Sequence, residues 1–399
     1  MPDASRPPRR LALMLAALSA LGPFSIDTYL PAFHAIEHSL QASPLAVQQT
    51  LSAYLLAFAL MTLWHGALAD RFGRRRIILG ALALFALASA GCALAGSIEA
   101  LWCWRALQGV TAGAGIVVSR AIVRDLYDGA AAQRLMSQIT MMFALAPAIA
   151  PVIGGLLQAA FGWRSIFVFL TLSTVGLGLT AWRALPETLP PEKRRHLHPA
   201  YLLQAYRDVL SSPRFLTACA ALALNFLGFF VYVLAAPAFL MRHLGVGETD
   251  FFWLFGPAMS GMILGAWLSG RLAGRRSLPF CIGLGFALMG TAATLNLGLN
   301  LLGAVSLPWA VAPLLIYTLG MSIAMPCLSI LALDPFPEKR GLAASCQTFL
   351  QSSANSVGAG LVVPLIWDSA RHLAMGMAVL LSLGVLAYLS HRRCRHGQD

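Results

Sequence analysis

The sequence predicts an all-α membrane protein of twelve transmembrane helices arranged as two pseudo-symmetric six-helix bundles. Three observations predict it. Only 11% of the 399 residues are charged and 58% are hydrophobic, whereas a soluble domain carries about 25% charged residues. Apolar runs recur at the length a bilayer requires, about 20 residues. Most of the 28 Lys and Arg fall between every second pair of those runs, as they do where short loops stay on the cytoplasmic side.

The first span is 11–33. Arg9-Arg10 and an apolar stretch resemble a signal peptide, but the run continues to Phe33, which predicts an uncleaved helix. Of sixteen acids, Asp27 alone lies well inside an apolar run, about 24 Å along the helix at 1.5 Å per residue. A carboxyl there costs about 2.5–3.5 kcal/mol to insert. Pro23 and Pro31 flank it and leave nearby backbone groups unpaired. A carboxyl that alternates between an apolar setting and a nearby cation can load and unload a proton.

The second span, 48–69, carries Tyr54 and Phe58. It leads into Gly66-Ala-Leu-Ala-Asp-Arg-Phe-Gly-Arg-Arg-Arg76, five charges wedged between two membrane-length runs. Lipid would expel them, so they mark the membrane surface. Gly66 permits close helix approach one turn before Asp70, and Asp70 can face the positive end of a neighbouring helix, with the eleventh span starting near Gly341. Asp70, Arg71, Gly73 and Arg74 are thus expected to form a conformational latch.

The third span is 77–97 and the fourth 101–123. Arg105 and Gln108 share nearly one face of the fourth, and Gly109 allows another helix to approach; Arg105 is the expected partner of Asp27. The fifth span, 137–159, holds Met142, Pro147, Pro151, Gly154 and Gly155, a pattern for a bent, closely packed helix. The sixth is 165–185. The longest inter-helix stretch, 186–213, is rich in Pro and basic residues and divides the chain into bundles 1–185 and 214–399.

The second half repeats the first, with spans at 214–238, 252–273, 279–302, 308–331, 342–366 and 372–391. Gly270-Arg-Leu-Ala-Gly-Arg-Arg276 is a worn copy of the 66–76 loop, displaced by about 200 residues. Asn225, Tyr232, Tyr317 and Met321 sit at mid-span, and Gln347, Gln351 and Asn355 repeat every four residues on one face. With Tyr54, Phe58, Gln108 and Met142 they suggest an adaptable, largely apolar pocket for small lipophilic or amphiphilic substrates.

An even span count puts both termini on one side. With that side cytoplasmic, only Arg105, Arg164, Arg242 and Arg371 fall in the outer half. The same clustering in loops argues against nucleic acid as the partner of the +12 net charge. Seven scattered cysteines show neither a Cys-x-x-Cys pair nor a His/Cys cluster, so no metal or disulfide framework is expected. No nucleophile–base set or phosphate-binding glycine loop points to an enzyme or a cofactor, and the chain is read as a monomer.

The 66–76 loop, Arg105-Ala-Leu-Gln-Gly109 and Ala150-Pro-Val-Ile-Gly-Gly155 resemble the signature motifs of the major facilitator superfamily of transporters. Ser25-Ile-Asp-Thr-Tyr-Leu-Pro-Ala32 and Arg120-Ala-Ile-Val-Arg-Asp125 are similar to its bicyclomycin/chloramphenicol-resistance branch. The resemblance implies a drug:proton antiporter of the bacterial inner membrane working by alternating access. Some members of that branch carry a second acid where this sequence has Ser19, and the fifth-helix motif has Ala at 146 and 150 where Gly is commoner. The rival reading is a narrow-specificity metabolite exporter or uptake permease of the same fold.

Overall fold

The computed structural model describes residues 9–127, 129–194, 199–303 and 306–396, and side-chain detail is lacking for short stretches within these, notably 140–144. The described residues are helical with connecting turns, without strands. Twelve helices follow the twelve runs: α1 (Arg9–Asp27), α2 (Pro44–Phe72), α3 (Arg74–Ala93), α4 (Ile98–Leu126), α5 (Gly129–Phe161), α6 (Arg164–Ala184), α7 (Pro213–Leu234), α8 (Phe252–Leu272), α9 (Leu278–Leu301), α10 (Ala312–Leu333), α11 (Arg340–Val357) and α12 (Ala370–His396). Eleven stretches of described residues are long and apolar enough to span a bilayer, and Leu145–Phe161 of α5 adds a shorter apolar segment. Leu56, Leu60, Leu84, Leu87, Leu172 and Leu386 are exposed. An apolar exterior of that extent faces lipid rather than water.

Local sequence explains where the helices start and stop. Ser43, Ser97, Ser212 and Ser277 each accept a hydrogen bond from the backbone N–H three residues on, capping α2, α4, α7 and α9. The predicted first span is broken. Regular helix ends at Asp27, a tight turn covers Leu30–Ala32, and a short helix resumes at Phe33–Ser39. Pro31 is the cause, since it lacks the N–H that would bond the Asp27 carbonyl four residues back. The seventh and eleventh runs likewise pass into π-helical turns, Pro237–His243 and Gly358–Val362. The tenth helix begins at Ala312 rather than 308, with Pro313 in its first turn, where a missing N–H costs nothing.

The chain divides into two units, Met1–His198 and Pro199–Asp399. In the first, α2 and α3 pack on α4, α3 packs on α6, and α1 packs on α5 and α4. In the second, α8 and α9 pack on α10, α9 packs on α12, and α7 packs on α11 and α10. These pairings are the same set advanced by six helices. The α2–α3 turn passes through Gly73 at φ 98° and the α8–α9 turn through Gly274 at φ 73°, but Gly73 alone joins α2 to α3 while residues 273–277 separate α8 from α9, so the loop repeat keeps a positive-φ glycine and not its length. The 186–213 stretch is not all connector. Pro199–Leu210 is a helix that buries Ala205, Tyr206 and Val209, packs on α7 and α11, and places Asp208 3.7 Å from Lys339.

Candidate transport site

Asp27 is the last residue of α1 and is 4% exposed. Among the described residues its carboxylate has no hydrogen-bond or ion-pair partner. The same stretch of α1 is held to its neighbours by polar contacts. Tyr54 of α2 donates to the Gly22 carbonyl at 3.0 Å, and Ser25 Oγ donates to the Gly22 carbonyl and to Tyr54 Oη. Tyr29 Oη pairs with Thr50 Oγ1 at 2.8 Å.

Arg105 of α4 closes this cluster. It is fully buried, so it is not a residue reaching to the membrane surface. Its Nη1 donates to Gln108 Oε1 at 2.7 Å and, at 3.5 Å, to the Ser25 carbonyl. The guanidinium carbon lies 4.7 Å from the Tyr29 ring centre and 4.5 Å from that of Tyr54, within cation–π range. Among the described residues its Nε and Nη2 have no hydrogen-bond partner. Gln108 passes the linkage to α3, donating to Ser89 Oγ at 2.7 Å. No ion pair joins Arg105 to Asp27, two residues beyond Ser25. Thus a buried cation with spare donors contacts the segment that ends in a buried, unpaired acid.

Glycine permits this packing. A Cβ on Gly109 would lie 2.2 Å from the Tyr54 carbonyl oxygen, and one on Gly154 would lie 2.0 Å from that of Thr28. Gly154 therefore lets α5 press on the turn after Asp27. Pro151 and Gly155 are buried beside it and Pro147 is half-buried. Phe58 is half-buried and stacks on Tyr54 with ring centres 6.5 Å apart. The side chain of Met142 lies outside the described residues.

A second cluster sits where α2 meets α3. Arg74 Nη1 bonds Asp70 Oδ1 at 2.6 Å, and its Nε bonds Asp125 of α4 at 3.1 Å. Thr188 donates to the same Asp125 oxygen, and Glu187 Oε1 accepts from the Arg74 and Leu189 N–H groups. Arg71 is exposed and stacks on Phe72. Gly66 is less demanding than its spacing suggests. A Cβ there would meet Val117 at an ordinary 3.7 Å, so nothing within this unit requires glycine.

In the second unit, three of the seven expected pocket residues, Tyr232, Tyr317 and Gln347, make side-chain hydrogen bonds to neighbouring helices. Tyr317 donates to the Asn225 carbonyl at 2.9 Å, and Asn296 of α9 donates to Tyr232 Oη at 2.6 Å. The Asn225 amide is buried without a partner in the space left by Gly384 of α12. Met321 is buried. Gln347 accepts from Ser329 at 3.0 Å, tying α11 to α10. Gln351 is half-buried, and Asn355 is buried with its Oδ1 unpartnered.

With this geometry in view, comparison with known proteins decides the family. The family model described as the Major Facilitator Superfamily matches residues 13–359. The chain belongs to the Major Facilitator Superfamily. It is therefore a multi-pass membrane transporter and not an enzyme. It is 33% identical to the Bacillus subtilis "Uncharacterized MFS-type transporter YdgK", over 98% of this chain and 97% of that one. It is 28% identical to "Multidrug resistance protein D" of Escherichia coli, over 95% of each. A "Chloramphenicol resistance protein" of Pseudomonas aeruginosa is 30% identical over 78% of this chain and 74% of its own length. Among solved structures, a D-xylose-proton symporter superposes with a TM-score of 0.74 at 16% identity, covering 95% of this chain and 96% of that one. That likeness shows the superfamily fold alone.

Glu187 and Thr188 lie in the connector, where the tally of basic residues hides them. An acid directly after a span that faces an arginine-rich loop was the available signal. Ser89 and Thr50 carry no such signal, since isolated hydroxyls in apolar runs are common; Tyr29 lies in the 25–32 motif.

Proposed function

We propose that this superfamily member exports small lipophilic or amphiphilic compounds from the bacterial cytoplasm in exchange for protons, with Asp27 as the proton carrier. The observation that carries the reading is a buried, unpaired carboxyl at a helix break, next to a segment touched by a buried arginine with unused donors. A carboxyl's proton affinity follows its surroundings: low dielectric retains the proton and a neighbouring cation releases it. Small movements of α1 against Arg105 would change which influence dominates. Substrate and proton then compete as Asp27 is exposed first to one side of the membrane and then to the other. The names of the relatives, multidrug and chloramphenicol resistance proteins, support a drug as cargo.

We read both termini as cytoplasmic, on the distribution of basic residues. One proton exchanged for one neutral molecule moves one net charge, gaining about 2.3 kcal/mol per 100 mV of membrane potential. Exchange for a monocation is electroneutral and runs on the pH gradient alone. Phe58, Gln351 and Asn355, half-buried or with a free polar atom, are the proposed substrate-lining residues, since Gln108, Tyr232 and Tyr317 are engaged in helix packing. The Asp70–Arg74–Asp125 cluster is the proposed latch.

The test is Asp27→Asn in inside-out vesicles given several unrelated drugs from the medium, with and without drug preloaded in the lumen. Proton-driven accumulation should vanish while drug-for-drug exchange persists. Full pH-driven transport by the variant would overturn the scheme. Transport confined to one metabolite would favour the narrow-specificity reading.

A further inference from the structure

A surface hollow of about 510 Å³ opens beside the α2–α3 turn of the N-terminal unit. Arg75, Arg76 and Arg194 rim it, with Glu187 the one acid among the lining residues. Glu187 is already committed, accepting from the N–H groups of Arg74 and Leu189. Arg75 is held in place by donating to the Trp182 carbonyl at 2.5 Å. The Nε of Arg194 is buried and, among the described residues, has no hydrogen-bond partner. The wall of the hollow changes character along α3. Beyond the arginines α3 offers Leu79 and Gly80, where a Cβ would meet nothing within 4 Å, and Phe72 at the end of α2 adds a second apolar group to the lining. Three bases thus ring one end, with an open apolar strip running from them along a membrane-spanning helix.

We propose that this hollow is a binding site for an anionic phospholipid, with the phosphate among the three arginines and the acyl chains along α3. Both α2 and α3 are long enough to cross a bilayer, so the turn that joins them lies at headgroup level. Guanidinium groups match phosphate oxygens in geometry as well as charge, and basic pockets between membrane helices are a known way of holding lipid headgroups. The apolar strip separates this site from one built for a soluble phosphate, which has no use for it. The proposal does not depend on which compound is transported or on proton coupling.

Native mass spectrometry of the full chain tests it, with phosphatidylglycerol counted after extraction from mixed phosphatidylglycerol/phosphatidylcholine nanodiscs. The wild type should retain phosphatidylglycerol selectively. Arg76→Gln with Arg194→Gln should weaken that retention by roughly thirtyfold, the loss of two cations at a headgroup. Arg275→Gln with Arg276→Gln, an equal loss of charge at the repeat loop, should leave it unchanged. Arg76→Lys with Arg194→Lys should keep most of the retention and so separate lost charge from lost fold. Equal losses in the two glutamine variants would mean diffuse attraction and overturn the proposal, as would undiminished retention by the first. Displacement by inorganic phosphate at the same site would overturn it in favour of a soluble anion.

Discussion

Gly73→Ala should destabilise the α2–α3 turn for two separable reasons. Gly73 sits at φ 98°, ψ 150°, a region open in practice to glycine alone. Forcing a side chain there costs about 1–3 kcal/mol. The added Cβ would also lie 2.3 Å from Glu187 Oε2, against a practical minimum near 3.0 Å. Glu187 is exposed, so its carboxylate can swing away. Swinging away, however, breaks its bonds to the Leu189 N–H and to the Arg74 N–H, the second of which caps α3 in place of a local side chain. A lost cap costs about 0.5–2 kcal/mol. The single variant should therefore lose about 1.5–5 kcal/mol. Glu187→Ala alone should lose only the capping part. Once Gly73→Ala has expelled the carboxylate, adding Glu187→Ala should cost almost nothing more. The assay is a double-mutant cycle by denaturant titration in mixed micelles, with a coupling of about 0.5–2 kcal/mol expected. If Glu187→Ala costs as much in the Gly73→Ala background as in the wild type, the carboxylate does not occupy the space that glycine leaves, and the reasoning fails.

Three further outcomes follow from the packing and the site. Gly109→Ala pushes a Cβ to 2.2 Å from the Tyr54 carbonyl, a backbone atom that cannot swing aside. Overpacking of this kind costs about 1–3 kcal/mol, and it should reduce efflux beyond its stability cost because Tyr54 also cages Arg105; efflux matching the wild type at equal folded protein would count against that cage. Tyr232→Phe leaves the buried Asn296 amide without its hydroxyl acceptor and with only the weak Met377 Sδ at 3.6 Å, so a loss of about 1–3 kcal/mol is expected in the same titration, whereas a neutral result would mean that the thioether suffices. Arg74→Ala frees Asp70 and leaves Asp125 with Thr188 alone; labelling of a cysteine introduced at the α2–α3 turn should speed up, and unchanged labelling rates would refute a latch at that position.

Composition and hydropathy made the architecture legible. A helix that must satisfy all its backbone groups in lipid needs an apolar run of fixed length, so the runs map onto helices with small shifts at their ends. Asp27 was legible for a related reason, because the same cost makes an intramembrane acid conspicuous. The break at Asp27 follows from Pro31, but the resumption of helix at Phe33 does not, since it depends on what covers the turn. Glu187 was missed because loops carry acids for many reasons, and only folding brings it to the N-terminus of α3.

The amino-acid sequence alone determined that the chain crosses a membrane, where it turns, and which charges lie where lipid would reject them. Tertiary structure decided which way each mid-span polar group points. Sequence pattern could not, because in lipid both the outer and the inner face of a helix are apolar, and the contrast that orients helices in soluble proteins disappears. Tyr232, Tyr317 and Gln108 therefore read alike with Gln351 and Phe58 until packing gave the first three partners on neighbouring helices.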